Sequence, residues 1–140
     1  MIKSDYTIVF DGGSIGNPGR GYGSYAVANN AAGAQYAGWQ IKRLNYPGRV
    51  TNNEAEYDTL IAALQTLPET LRAAGQEPLQ TTVEVRGDSL LVIYQVTSRW
   101  KAHEPRMAER RDKVIALTRQ FKRVSFTHHP RAQSVKILGH

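Results

Sequence analysis

Cysteine is absent from the 140-residue sequence. Disulfides, thiolate catalysis and cysteine-based zinc sites are therefore excluded. Long apolar runs are missing too. No stretch approaches the ~20 apolar residues that span a bilayer. The opening residues, Met1-Ile2-Lys3-Ser4-Asp5, contain no signal-peptide core. The expectation is a cytoplasmic protein with no membrane association. Acidic residues run out early: none follows Asp112. Residues 99–140 carry 11 Lys/Arg against 3 Asp/Glu, whereas residues 1–98 carry 7 against 9. The formal net charge of +6 thus sits in the C-terminal third. Such a distribution suits a polyanionic partner, most simply nucleic acid, or else a solvated basic surface.

What remains is an ordinary globular composition, with 41% hydrophobic and 21% charged residues. The length suits a single domain over residues 1–140. No internal repeat, low-complexity segment or linker interrupts it.

The stretch Thr51-Asn52-Asn53-Glu54-Ala55-Glu56-Tyr57 organises the reading. Thr51 and Glu54 have the spacing of a capping box, which starts a helix at 52. Leu60, Ile61, Leu64 and Leu67 recur at helical spacing and mark its buried stripe. Glu54 has a structural task as cap partner. Glu56 lies on the buried stripe, four residues before Leu60, where a carboxylate needs a partner, a hydrogen bond or a metal. Favourable placement near the positive end of the helix is the alternative explanation.

Residues 5–11 read as a β-strand ending in Asp11. The next eight residues, 12–19, hold four glycines and one proline and read as a tight turn. Residues 22–28 and 35–41 read as two further strands of an antiparallel meander, with 29–33 as their turn. Residues 45–50 read as a loop. The helix from 52 reaches 66 and either continues or restarts between Pro68 and Ala74. Residues 81–86 form a fourth strand leading to Gly87-Asp88-Ser89. A short buried helix over 90–96 follows, capped by Asp88 or Ser89. Residues 98–104 are a basic loop around Trp100. Pro105 opens a helix with Met107, Val114, Leu117 and Phe121 on its buried side. A fifth strand covers 124–127. The last nine residues show no clear pattern. The element order indicates an α/β fold, a mixed five-stranded sheet flanked by helices.

If the first and fourth strands are parallel neighbours, Asp11 and Asp88 emerge on one edge. Glu56 could then complete a cluster. Three adjacent carboxylates favour a hard divalent cation such as Mg²⁺ or Mn²⁺. Turn and cap duties for each aspartate are the alternative.

Three motifs carry a resemblance. They are Asp11-Gly12-Gly13-Ser14-Ile15-Gly16-Asn17-Pro18-Gly19, Thr51-Asn52-Asn53-Glu54-Ala55-Glu56-Tyr57 and Gly87-Asp88-Ser89. In order and spacing they resemble the signatures of type 1 ribonuclease H. The resemblance implies a ribonuclease H-like fold and an enzyme that cuts the RNA strand of an RNA–DNA hybrid. The products would be 5′-phosphate and 3′-hydroxyl ends, with two Mg²⁺ or Mn²⁺ ions per site. It implies metal binding by Asp11, Glu56 and Asp88, with Asp11 bridging both ions. It further implies substrate contacts from Gly12, Gly13, Asn17, Asn52 and Asn53. Arg49 and Thr51 would hold a phosphate of the DNA strand. The hybrid is the implied partner, bound by a monomer without an obligate protein partner.

Two departures from the family pattern stand out. The basic, Trp-containing protrusion of many members is missing, as in the family's short form. Arg99, Trp100 and Lys101 are its nearest substitutes, with Trp100 suited equally to packing. The family's fourth carboxylate, which helps hold the water-activating metal, falls on Leu138. The chain also stops at His140, before a full helix is expected there. His128, His129 and His140 are the nearby titratable groups. His129 or His128 fits the family's loop histidine for proton transfer, or an ordinary exposed loop residue. A weakly active or inactive hybrid-binding module is the alternative function. A relative on the same fold with another nuclease or integrase-like activity is a third, against which the Thr-Asn-Asn-x-x-Glu pattern speaks.

Overall fold

The computed structural model describes residues 3–31 and 39–139. Part of the strand expected over 35–41 and of the turn over 29–33, together with His140, lies outside the described residues. The elements run β1 (Tyr6–Ile15), β2 (Gly19–Asn29), β3 (Gln40–Val50), α1 (Asn52–Ala73), β4 (Thr82–Gly87), α2 (Leu90–Val96), α3 (Pro105–Thr118), β5 (Arg123–His128) and α4 (Arg131–Leu138). A 3-10 turn at Pro78–Gln80 precedes β4. The five strands lie in the order β3-β2-β1-β4-β5. β1 is antiparallel to β2 and parallel to β4, and β4 is parallel to β5. The expected mixed sheet is present, with β1 and β4 as parallel neighbours. No helix among the described residues is long and apolar enough to cross a membrane.

Alternation along β1 and β4 sorts their side chains between two faces. Ile8, Phe10, Val83 and Val85 join the main core beneath α1, α2 and α3. Val9 and Ala26 face the other way and pack against Leu138 of α4. Asp11, two residues beyond Val9, shares the α4 face by the same alternation.

Three expectations from the sequence need correction. β1 runs through Gly12–Ile15 rather than ending at Asp11. Gly12 pairs with Gly23 and Gly13 with Tyr22, so the ladder continues where glycine suggested a turn. The segment 45–50, expected as a loop, is the second half of β3. β3 is an edge strand, and its pairing slips between Gly19 and Gly21. Pro47 lies opposite that irregularity, where the ladder does not need its missing N–H. Residues 131–138, expected to lack a full helix, form α4. Burial of Leu138 and a left-handed Gly139 at φ 82° close that helix.

α1 continues unbroken through Pro68, with Leu64, Leu67 and Leu71 buried along its length. Burial of that stripe outweighs the ~3 kcal/mol an interior proline costs. The capping box is formed: Thr51 Oγ1 accepts from the Glu54 N–H at 3.1 Å, and Glu54 accepts from the Thr51 N–H at 3.0 Å. Arg110 of α3 bonds Asp58 at 2.8 Å and pairs with Glu54 at 3.4 Å, tying α3 to the start of α1.

Gly12 sets how closely α1 sits on β1. A Cβ there would lie 2.7 Å from the Ala55 carbonyl and 2.8 Å from the Glu56 nitrogen. Gly12→Ala is therefore expected to push the first turn of α1 off the sheet. The loss should be about 1–3 kcal/mol, as for other overpacked cores. A thermal melt measures it, and unchanged stability would show that α1 can shift without strain.

Candidate metal centre and nucleic-acid interface

Asp11, Glu56 and Asp88 each present an oxygen to one cluster, and these atoms lie within 4.8 Å of one another. β1 delivers Asp11, and the turn after β4 delivers Asp88. The missing side chain at Gly12 brings Glu56 across from α1. Asp11 is buried, and the Asp88 side chain is only 10% exposed. Asp88 Oδ2 is buried with no hydrogen-bond partner among the described residues. Its nearest cation is the Arg131 guanidinium at 3.6 Å, a charge contact rather than a hydrogen bond.

This crowding governs protonation. Burial first, and then the charges of Asp11 and Asp88, push Glu56 up to about 8. A hydrogen bond from Ser89 and the charge of Arg131 oppose the shift. Buried, mutually repelling carboxylates with an unsatisfied oxygen fit a hard divalent cation. The arrangement can hold such an ion beside the central strands β1 and β4.

A raised carboxyl pKa means that the fold binds more protons than the unfolded chain. Stability without a cation should therefore fall as pH rises from 4.5, the ordinary value, towards about 8. A divalent cation that took the proton's place would restore it. The Mn²⁺-induced rise in melting temperature should be larger at about pH 8 than at about pH 5.5. An equal rise at both values would contradict this protonation scheme.

The polar residues expected to meet substrate surround the N-terminus of α1. Asn17 Oδ1 accepts from the Asn52 N–H at 2.9 Å, and Asn52 Oδ1 accepts from the Ser14 N–H at 2.8 Å. These bonds lock the β1–β2 turn to α1. Asn53 is half-buried, and Arg49 is exposed near the end of β3. Trp100 is 47% exposed and meets the Tyr94 ring edge-on, with centroids 5.0 Å apart. Arg99 stacks over Tyr94 at 4.8 Å, and Lys101 is exposed. This loop leads into an α3 whose Arg106 reaches within 3.7 Å of Glu54. The loop and the start of α1 therefore share one end of the molecule.

His128 is exposed as expected but is the last residue of β5 rather than a loop residue, and His129 is not exposed. His129 is buried, with Nε2 2.8 Å from Ser134 Oγ, and its N–H donates to the Gly87 carbonyl. Burial lowers its pKa, opposed by the charge of Asp88. The α4 helix causes this burial, because its Ser134 side folds over the loop.

Sequence reasoning passed over Arg131, Ser89 and Ser14 as members of the site. Ser89 read only as a helix cap, a task it does perform through Val92. Arg131 sits at the first position of a helix that the sequence did not announce.

A family model described as reverse transcriptase-like matches residues 10–136. Ribonuclease HI of Halobacterium salinarum is 37% identical over 123 residues, covering 88% of this chain and 55% of that protein. The crystal structure of RNase H1 from that organism superposes with a TM-score of 0.77 and 33% identity, covering 96% of this chain and 91% of that one. The chain belongs to the type 1 ribonuclease H family. The N-terminal RNase H domain of Rv2228c from Mycobacterium tuberculosis gives a TM-score of 0.79 at 30% identity, covering 98% and 92% of the two chains. LC11-RNase H1 in complex with an RNA/DNA hybrid gives 0.79 at 28% identity, covering 94% and 90%. The chain spans about half the length of the halobacterial protein and, at 31%, about a third of the mycobacterial bifunctional protein.

Proposed function

We propose that this domain is a metal-dependent endonuclease cutting the RNA strand of RNA–DNA hybrids to 5′-phosphate and 3′-hydroxyl ends. The convergence of Asp11, Glu56 and Asp88 within 4.8 Å carries this reading. Mg²⁺ or Mn²⁺, two ions when both are held, would polarise the phosphate and lower the pKa of the attacking water. Asp11, on the central strand β1, would be the shared ligand, as the family resemblance implies. Glu56 and Asp88 would hold the leaving-group side. Arg131, beside Asp88, would offer a guanidinium to the phosphate held there.

Hybrid recognition would fall to the α1 N-terminus. Asn17, Asn52 and Asn53 would face the minor groove, where 2′-hydroxyls are accessible. Arg49 and Thr51 would hold a DNA-strand phosphate, while Trp100 and Lys101 would extend the grip. His129 stands close behind Asp88. Its bond to Ser134 suits it to fixing the start of α4, and with it Arg131.

A hybrid-binding module with a decayed site is the second reading. Leu138, where the family's fourth acid would stand, is fully buried against Val9 and Ala26. Incubation of labelled hybrid with Mg²⁺ and with Mn²⁺ separates the two. Duplex RNA, duplex DNA and single strands serve as controls. Cleavage confined to the RNA strand of the hybrid, faster in Mn²⁺, is expected. Binding without cleavage in either metal would establish the module instead.

A further inference from the structure

Tyr22 pairs with Gly13 across the β1–β2 ladder, and Ser24 pairs with Asp11. Two residues separate the pairs, so Tyr22 and Asp11 share a face of the sheet. The intervening pair, Gly12 and Gly23, faces α1, where added Cβ atoms would meet Ala55 and Thr59. Gly13 faces the phenol instead. A Cβ at Gly13 would lie 2.6 Å from the Tyr22 hydroxyl oxygen and 2.8 Å from Cζ. The ring thus lies across β1 over Gly13. β4 pairs with β1 only as far as Phe10, so the phenol end reaches an open strand edge about 7 Å along from Asp11. Tyr22 is 42% exposed, and its hydroxyl has no hydrogen-bond partner among the described residues.

Aromatic cover of a strand glycine explains the ring. It leaves open what the solvent-facing hydroxyl, on the same sheet face as Asp11, meets when a hybrid is bound. We propose that Tyr22 is a substrate-contact residue whose hydroxyl hydrogen-bonds a ribose 2′-hydroxyl of the RNA strand beside the scissile phosphate. The inference rests on the hybrid-binding reading above. A phenol is neutral and, like a 2′-hydroxyl, both donates and accepts. Towards a phosphate it could only donate, whereas towards a 2′-hydroxyl it can serve in either sense, and the latter contact distinguishes ribose from deoxyribose. Gly13 then serves recognition indirectly, by leaving room for the ring.

Tyr22→Phe keeps the ring over Gly13 and removes only the hydroxyl, so the fold should be retained, as a melt would verify. Binding is measured in Ca²⁺ with an all-ribose hybrid, hybrids carrying one 2′-deoxy position at a time, and duplex DNA. Tyr22→Phe should weaken all-ribose hybrid binding about 3- to 10-fold, the range for one neutral hydrogen bond. The loss should vanish on the hybrid lacking the contacted 2′-hydroxyl and be absent on duplex DNA. Wild-type affinity of Tyr22→Phe for every hybrid, or an equal loss on duplex DNA, would overturn the inference. Hybrid binding without cleavage in Mn²⁺ would overturn the nuclease reading alone. Failure of the wild type to bind hybrid would overturn both.

Discussion

Asp11→Asn is expected to lower hybrid cleavage by more than about a hundredfold while leaving the fold and hybrid binding in place. Changes to residues that merely support a metal ligand already cost ~10–100-fold. Asp11 is itself a member of the cluster. Affinity should survive because it comes mainly from phosphate contacts made elsewhere. Removing the Asp11 charge also relieves repulsion on Glu56, whose raised pKa is due in part to Asp11. The cation-free variant should therefore melt no lower than wild type near pH 8, and its Mn²⁺ response should disappear. Glu56→Gln should behave similarly. Glu54→Ala should not: Glu54 caps α1 and pairs with Arg110, so its loss should cost about 1–3 kcal/mol of stability with kcat retained. Steady-state kinetics beside melting curves separate the two glutamates. A reversed pattern would place the metal ligand at 54.

Leu138→Asp should have the largest effect on stability. Leu138 is fully buried against Val9 and Ala26, one step along the sheet face from the Asp11–Ser24 pair. Its carbonyl accepts from Arg43 Nη2 at 2.9 Å, which helps fix the end of α4. Without a cation the substitution should cost at least the ~2–5 kcal/mol of a large-to-small core change, because a carboxylate is also buried. A divalent ion shared with Asp11 should recover much of that loss and raise the Mg²⁺ rate. The new carboxylate would sit on a formed helix, because α4 reaches 138 and Gly139 closes it. Melting in EDTA and in Mg²⁺, beside cleavage rates, tests this. A variant as stable as wild type in EDTA, with an unchanged Mg²⁺ rate, would show that position 138 does not face the metal centre.

The parts of the fold legible in the sequence were those set by local chemistry. Thr51 and Glu54 announced a helix start because a capping box needs only a three-residue spacing. That β1 and β4 are parallel neighbours was only a supposition from the sequence, because β2, β3 and α1 intervene, and the sheet order bears it out. Asp11, Glu56 and Asp88 were legible because two follow strand patterns and the third sits on a buried stripe. The missed features depend on distant packing. Gly12–Ile15 stays in β1 because Gly12 and Gly23 admit α1 at close range. Pro47 survives in β3 because the ladder is irregular at an edge. α4 has no strong periodicity in its eight residues and is held by Leu138 on the sheet. Burial of His129 follows from α4, so missing the helix also misplaced the histidine and hid Arg131.

Calorimetric titration of Mn²⁺ into the wild type and into Asp11→Asn, near pH 8, tests the metal centre most directly. Saturable binding by the wild type and its loss in the variant is the expected result. Equal binding by both proteins, or none by the wild type, would contradict a cation site built on Asp11, Glu56 and Asp88.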